Sequence, residues 1–167
     1  MQAIFSMRMG NRGISYPLSP QTNPPSRLTG TGRKVIIQNM KGVRKFVIQK
    51  HTKAGQTHWD LMFEQNPDIS GPGSGTLLET YRLESPPEKL PQQINIAVKI
   101  FDHSPKFLTY EGSVNNGKGT VEIVENGTYQ LLNRSENGSE LRLEGKTLKG
   151  RFTLNHIKDN RWEFKQD

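Results

Sequence analysis

Asn-Gly dipeptides recur every ten or eleven residues in the second half of the chain. They are Asn116-Gly117, Asn126-Gly127 and Asn137-Gly138. Asn-Gly is the strongest two-residue hairpin signal, because both residues tolerate the positive φ that a tight β turn requires. Apolar and polar residues alternate between these turns, for example from Leu141 to Glu144, which is typical of strands with one buried face. Three turns therefore predict four consecutive antiparallel strands.

The first half of the chain also predicts strands. They lie at residues 34–39, 45–51, 57–64, 76–83 and 95–101. Together with the meander they form a sheet large enough to close on itself, which removes exposed edges. We therefore predict an all-β fold, a small closed antiparallel β-barrel that contains a hairpin meander. The one weak helical signal, Pro86 to Pro91, predicts a loop with a short 3₁₀ turn, because Pro91 stops any helix.

The net charge of +7 is concentrated at the N-terminus, since residues 1–45 contain eight Lys/Arg and no Asp/Glu. This stretch is also rich in Ser, Pro, Gly and Asn, so we predict a basic, disordered arm at residues 1–33 and one domain at residues 34–167. Such an arm suits salt-sensitive contacts with DNA or RNA phosphates. The alternatives are an upstream extension without a task and an organelle transit peptide over residues 1–26.

Two absences narrow the class of protein. The chain has no cysteine, which excludes disulfides and thiolate metal ligands and fits a reducing compartment. No apolar run approaches the roughly 18 to 20 residues that a membrane-spanning helix needs. We therefore expect a protein without a membrane association, located in the cytoplasm, or with the nucleoid if it is a bacterial repair protein.

Metal-ligating side chains are concentrated between His51 and Glu64. On a strand, alternate side chains share a face, so His58 and Asp60 point the same way. A turn containing Gly55 then brings His51 back beside them. Two imidazoles and one carboxylate suit a divalent cation, manganese or zinc, with open positions for water or substrate. The alternative is that these side chains are merely solvated or hydrogen-bonded on a surface strand.

The same residues carry a resemblance to a known family. The runs Phe46-Val-Ile-Gln-Lys-His51 and His58-Trp-Asp60 resemble the 3′-phosphoesterase domain of bacterial DNA ligase D. Three later segments resemble it as well: Asp102-His103 followed by Tyr110-Glu111-Gly112, then Gly145 to Phe152, and finally Trp162 to Asp167. The resemblance covers residues 44 to 167 and implies a closed barrel. It also implies that His51, His58 and Asp60 hold manganese and that His103 contacts the substrate phosphate. His156 is left over, and we interpret it as solvated.

Two positions depart from the family pattern. Met62 stands where the family has an arginine, and Phe107 stands where it has a tyrosine, so two groups that contact phosphate are missing. Arg82, in the predicted strand at residues 76–83, is a candidate replacement; otherwise it is a surface arginine paired with Glu79 or Glu84. Lys50 is a further candidate for phosphate binding.

The resemblance implies a metal-dependent phosphoesterase that removes a phosphate or a ribonucleotide from the 3′ end of DNA or of an RNA/DNA strand during repair. His103, with the three metal ligands, would carry the reaction. Because no ligase or polymerase segment accompanies the domain, we expect a repair ligase or polymerase to act in trans. The alternative is a barrel that binds metal and nucleic acid without turnover, which Met62 and Phe107 favour. A third is a barrel whose histidines are structural.

Overall fold

A computed structural model describes residues 42–65, 77–90 and 92–167. Within these ranges, nine strands and two short 3₁₀ helices form the fold. The strands are β1 (Arg44–Lys53), β2 (Gln56–Glu64), β3 (Leu78–Leu83), β4 (Asn95–Lys99), β5 (Gly112–Val114), β6 (Gly119–Ser135), β7 (Gly138–Gly145), β8 (Lys149–Lys158) and β9 (Arg161–Gln166). The 3₁₀ helices are η1 (Pro87–Lys89) and η2 (Pro105–Leu108). The predicted strand at 34–39, the arm at 1–33 and most of the connection from β2 to β3 lie outside the described residues.

The strands are hydrogen-bonded in a ring, and all of their pairings are antiparallel. The order is β1, β2, β3, β4, β9, β8, β7 and β6, and β6 pairs again with β1. β5 pairs with the first residues of β6. The all-β prediction is therefore confirmed, and the ring leaves β1 and β6 without the free edges that an open sheet would have.

Large apolar side chains from one face of the strands form the main hydrophobic core. Its fully buried members include Phe46, Ile48, Leu61, Leu143, Phe152 and Phe164. On β1 and β2 these residues alternate with side chains of the opposite face, because successive strand residues point to opposite sides. Packing of the first set therefore fixes which side chains of β1 and β2 appear on the second face, where the candidate site lies.

The prediction of a turn at Asn126-Gly127 is wrong. β6 runs without interruption for 17 residues, and Gly127 pairs with Phe46 of β1 and with Gly145 of β7. A Cβ atom on Gly127 would lie 2.1 Å from the Glu144 carbonyl oxygen, so the glycine serves close strand approach instead of a turn. The other two dipeptides do mark turns, at residues 115–118 and 136–137, and the 3₁₀ turn expected before Pro91 is present as η1.

A second 3₁₀ helix, η2, was not predicted from the sequence. It covers part of the second face of β1, β2 and β6, and the Gln49 side chain holds the segment there. Its amide donates to the carbonyl oxygens of Phe107 and Tyr110 at 2.9 and 2.7 Å. In the described ranges, no helix is long and apolar enough to cross a membrane.

Candidate metal centre and its cleft

The hairpin of β1 and β2 brings the two histidines together. The two strands are connected by only two residues, Ala54 and Gly55. Their φ angles of 49° and 77° match the positive-φ turn that suits a tight hairpin. The register therefore places His51 directly opposite His58. His51 Nδ1 lies 3.1 Å from His58 Nε2.

Asp60 completes the group from the same face of β2. One of its carboxylate oxygens lies 3.2 Å from His58 Nε2, and the residue is 6% exposed. One ligand atom from each of His51, His58 and Asp60 lies within 4.8 Å of the others. Nitrogen and oxygen ligands about 2.0 to 2.2 Å from one ion lie roughly 3.5 Å apart, so these separations fit a shared divalent cation. We call these three residues the triad.

The surroundings of His51 decide which of its nitrogens is available. Nε2 is buried and has no hydrogen-bond partner among the described residues. A Cβ atom on Gly119 would lie only 2.9 Å from it, so this nitrogen is packed against the backbone of β6. Nδ1 is therefore the atom that faces His58, and it is the ligand that His51 offers.

Burial lowers the pKa of both triad imidazoles below the usual value of 6.5. The negative charge of Asp60 opposes this shift, and the positive charge of Arg82 adds to it. Neutral imidazole is the form that binds a metal ion, because the coordinating nitrogen must carry a free lone pair. The local electrostatics thus keep both histidines in the ligating form near neutral pH.

Arg82 lies beside the triad, opposite Asp60 on β3. Its Nε is 3.4 Å from the second carboxylate oxygen of Asp60, and its side chain is 45% exposed. The partners that a surface role would require are occupied, since Glu79 pairs with Arg134 and Glu84 pairs with Arg161. Among the described residues, the Arg82 side chain donates a hydrogen bond through Nε to Asp60 and none through its terminal guanidinium nitrogens.

His103 reaches the same region from the segment that follows β4. Its backbone forms two hydrogen bonds with Leu78 at the start of β3, at 2.7 and 3.0 Å. Its Nδ1 lies 3.0 Å from the Phe101 carbonyl oxygen. A carbonyl only accepts, so Nδ1 carries the proton and Nε2 is left for another partner.

A cleft of about 560 Å³ joins these groups. Its walls include the triad, Arg82, His103 and Lys53, together with the rings of Phe101 and Phe107. The cleft therefore combines a potential cation site with an arginine, a histidine and a lysine that can face an anion. That set of groups is suited to a phosphate ester.

A comparison with protein-family models matches residues 49–156 to the DNA ligase D 3′-phosphoesterase domain. The chain belongs to this family. The match spans the triad, Arg82 and His103, whereas the resemblance noted at Trp162 to Asp167 lies beyond it. No curated protein matches the chain.

The two departures from the phosphoesterase pattern pack together. Met62 is 1% exposed and forms a small cluster with Val47 and Leu78 on the second face of the sheet, and Phe107 of η2 packs against it. We call this group the apolar cluster. At the position of the family's arginine, the chain therefore has a buried hydrophobic contact between β1, β2, β3 and η2. Met62 and Phe107 are compatible neighbours, because both bring apolar side chains to one buried contact.

One sequence candidate does not reach the cleft of this phosphoesterase-family chain. Lys50 pairs with Trp59 in the strand register, on the face opposite His51, and its ammonium lies 4.0 Å from Glu122. It is not a lining residue. His156 packs against Trp162, with ring centroids 4.9 Å apart, and contacts the Asp159 carbonyl. Its exposed position agrees with the solvated interpretation.

Two further residues of the resemblance have structural contacts. Asp102 accepts hydrogen bonds from Lys99 and Gln65, each at 2.6 Å, and Glu111 accepts from the Ile123 amide at 2.7 Å. Sequence reasoning missed Gln49, which positions η2 through two backbone carbonyls. The available sequence signal is a glutamine at the end of the apolar run Phe46 to Gln49. An amide buried among apolar residues requires hydrogen-bond partners.

Proposed function

We propose that the protein is a divalent-metal-dependent phosphoesterase that removes a 3′-terminal phosphate or ribonucleotide from a nucleic-acid strand. The observation that carries this proposal is the convergence of the triad ligand atoms within 4.8 Å in a cleft that also contains Arg82 and His103. Membership of the DNA ligase D 3′-phosphoesterase family supports the reaction class.

In this proposal His51 Nδ1, His58 Nε2 and an Asp60 oxygen hold the cation. Two imidazoles and a carboxylate accept manganese and zinc alike, and the family resemblance favours manganese. When bound, such a cation supplies Lewis-acid polarisation of a phosphate oxygen and lowers the pKa of water. The triad residues contribute a fixed geometry, because β1 and β2 are paired continuously from Phe46 and Phe63 to Lys53 and Gln56.

Arg82 takes the place of the arginine that Met62 replaces. Asp60 holds its Nε, so the planar guanidinium is oriented before substrate arrives, and its terminal nitrogens can donate to phosphate oxygens. The stem originates on β3 instead of β2, which brings the charge to the cleft without disturbing the apolar cluster. Lys53, at the tip of β1, adds a second cation at the rim.

His103 serves the leaving group or the phosphoryl charge. Its Nδ1 proton is committed to the Phe101 carbonyl, so Nε2 is the atom that can donate to or accept from a phosphate ester. A protonated Nε2 can protonate the leaving oxygen, and either protonation state fits one step of ester cleavage. The 3.0 Å contact keeps the imidazole from rotating.

The apolar cluster favours a second candidate function, a domain that binds metal and nucleic acid without useful turnover. Loss of one preorganised donor commonly reduces the rate by about 10² to 10³. The arginine and the tyrosine are both absent, and Phe107 provides no hydroxyl. Only a contribution from Arg82 separates the first candidate from the second.

Release of phosphate from an oligonucleotide with a 3′-phosphate, with and without Mn²⁺, tests the proposal. We expect Mn²⁺-dependent release by the wild type and none by His51→Ala, with His156→Ala as a matched histidine control that keeps activity. Mn²⁺ binding without release would support the second candidate. Absence of any Mn²⁺ or Zn²⁺ binding in titration calorimetry would leave the histidines structural and overturn both.

A further inference from the structure

Phe101 is the most exposed large apolar side chain of the described residues, at 77%. A single exposed apolar residue needs no explanation on an ordinary surface. Phe101, however, lines the cleft that contains the triad, Arg82 and His103. An aromatic ring of this size, left in water at the edge of a charged cleft, therefore calls for a ligand with an apolar flat surface.

The ring is held in a defined orientation. It stacks on the His103 imidazole with an interplanar angle of 9° and a centroid separation of 4.9 Å. The rings of Phe107 and His103 form a T-shaped contact, with centroids 5.5 Å apart and an interplanar angle of 72°. One face of Phe101 is therefore covered by His103, and the high exposure of the residue leaves the other face to solvent.

The backbone on both sides of Phe101 is fixed to β3. The Ile100 amide donates to the Thr80 carbonyl at 3.2 Å, and the backbone of His103 pairs with Leu78. Asp102 is held by Lys99 and Gln65. These contacts hold the backbone segment that carries the exposed ring, so little conformational entropy is lost when a flat group packs on it.

We propose that Phe101 is a stacking platform for the nucleobase of the 3′-terminal nucleotide. The inference rests on the proposed function, and it identifies the part of the substrate that the phosphate groups do not bind. A phosphate site and a free aromatic face within one cleft match the two ends of a nucleotide. Phenylalanine offers no hydrogen bond to a base, so the platform accepts any base and recognises its flat surface alone.

A comparison of how tightly two matched oligonucleotides bind tests this inference without turnover. Both carry a 3′-phosphate, and they differ only in the last residue, which is 2-aminopurine in one and an abasic site in the other. With EDTA present, Phe101→Leu should weaken binding of the base-bearing strand by about 5- to 150-fold and leave the abasic strand unchanged. Phe101→Trp should restore the affinity, and 2-aminopurine fluorescence should be quenched on binding.

Ile157→Ala is the matched control, since Ile157 is 49% exposed and does not line the cleft. We expect no change for either strand. Equal weakening of both strands by Phe101→Leu, or binding without fluorescence quenching, would overturn the stacking role. Turnover measured with Mn²⁺ in place of EDTA covers the remaining alternative. If Phe101 acts only by orienting His103, kcat falls for both strands and KM shows no preference for the base-bearing strand, and the inference is again overturned.

The stacking role and the proposed hydrolysis fail separately. Base-dependent binding that is lost in Phe101→Leu supports the platform even if no strand releases phosphate. Absence of phosphate release would contradict only the proposed hydrolysis. Metal-dependent release that is insensitive to both Phe101→Leu and the terminal base would support the hydrolysis and eliminate the platform.

Discussion

Among the residues that the structure describes, two carboxylates are buried in opposite ways. Glu125 on β6 is fully buried, and its oxygens accept hydrogen bonds from the backbone amides of residues 126 and 146–148 and from the Thr147 hydroxyl. Asp60 is nearly as buried, but its contacts are the side chains of His58 and Arg82. A carboxylate that is saturated by backbone donors has no capacity for a ligand. One that faces imidazoles in a cleft can exchange a side-chain contact for a cation.

The two environments have different energetic consequences. Burial alone would raise the pKa of Glu125, but hydrogen bonds from Thr147, Lys146 and Leu148 outweigh it and lower the pKa below the ordinary value of 4.5. The folded state therefore favours the charged form of Glu125. We expect substitutions at Glu125 to affect folding, and substitutions at Asp60 to affect ligand binding.

The largest expected effect is on metal affinity. Asp60→Asn keeps the shape of the side chain and removes its charge, so we expect Mn²⁺ affinity to fall more than about 100-fold in titration calorimetry. The free energy of unfolding should change by no more than about 1 kcal/mol, because the partner Arg82 is half exposed. A destabilised variant that retains Mn²⁺ affinity would place Asp60 in the same structural class as Glu125.

Arg82 provides the next test, because this partner of Asp60 is the group that the proposal assigns to phosphate binding. Arg82→Met should lower kcat/KM for a 3′-phosphate oligonucleotide by about 10²-fold, through loss of a donor to the phosphate. Arg161→Met is the matched control, since Arg161 is similarly exposed and its partner Glu84 lies outside the cleft. Its effect should stay within about twofold. Equal losses in the two variants would return Arg82 to a surface role.

Glu125→Gln should destabilise the fold by about 3 kcal/mol, because the amide presents hydrogens to buried backbone donors that lose their acceptor. Urea unfolding measures this value. Glu122→Gln on the same strand is the control, with a side chain that is 68% exposed and an expected effect below about 0.5 kcal/mol. A Glu125 variant as stable as the control would show that the carboxylate is not a structural element.

The sequence predicted the Asp60 environment better than the Glu125 environment. His51, His58 and Asp60 are local, because one hairpin register and the alternation of side chains place all three. Glu125 depends on backbone amides from a turn about twenty residues away, and donors of the main chain leave no signature in the side-chain pattern. The family resemblance at Gly145 to Phe152 does not reveal that Gly145 has no room for a side chain beside Glu125 and Phe46.

The prediction of a turn at Asn126-Gly127 failed for a related reason. Asn126-Gly127 has the composition of a turn, but its glycine is required by the approach of β7, and contact between distant strands is invisible to local patterns. Similarly, Met62 and Phe107 were recognised as single departures from the family. Their shared cluster became apparent only when η2 was placed over the sheet. Lys50 directly precedes His51 in the sequence, but strand alternation puts it on the opposite face.

The smallest expected effect is the pH dependence of the Glu125 contribution. Its pKa is lowered on folding, so its stabilisation is fully present above the unfolded value of 4.5 and is lost as pH falls through the folded pKa. The difference in unfolding free energy between wild type and Glu125→Gln should therefore be constant from pH 7 to pH 5 and shrink below about pH 4.5. Taking the difference cancels the triad histidines, whose lowered pKa values destabilise both proteins equally below pH 6.5. A difference that grew on acidification would mean that Glu125 is protonated in the folded state. Its charge would then not stabilise the fold, and the contrast between a structural Glu125 carboxylate and a ligand-binding Asp60 carboxylate would be lost.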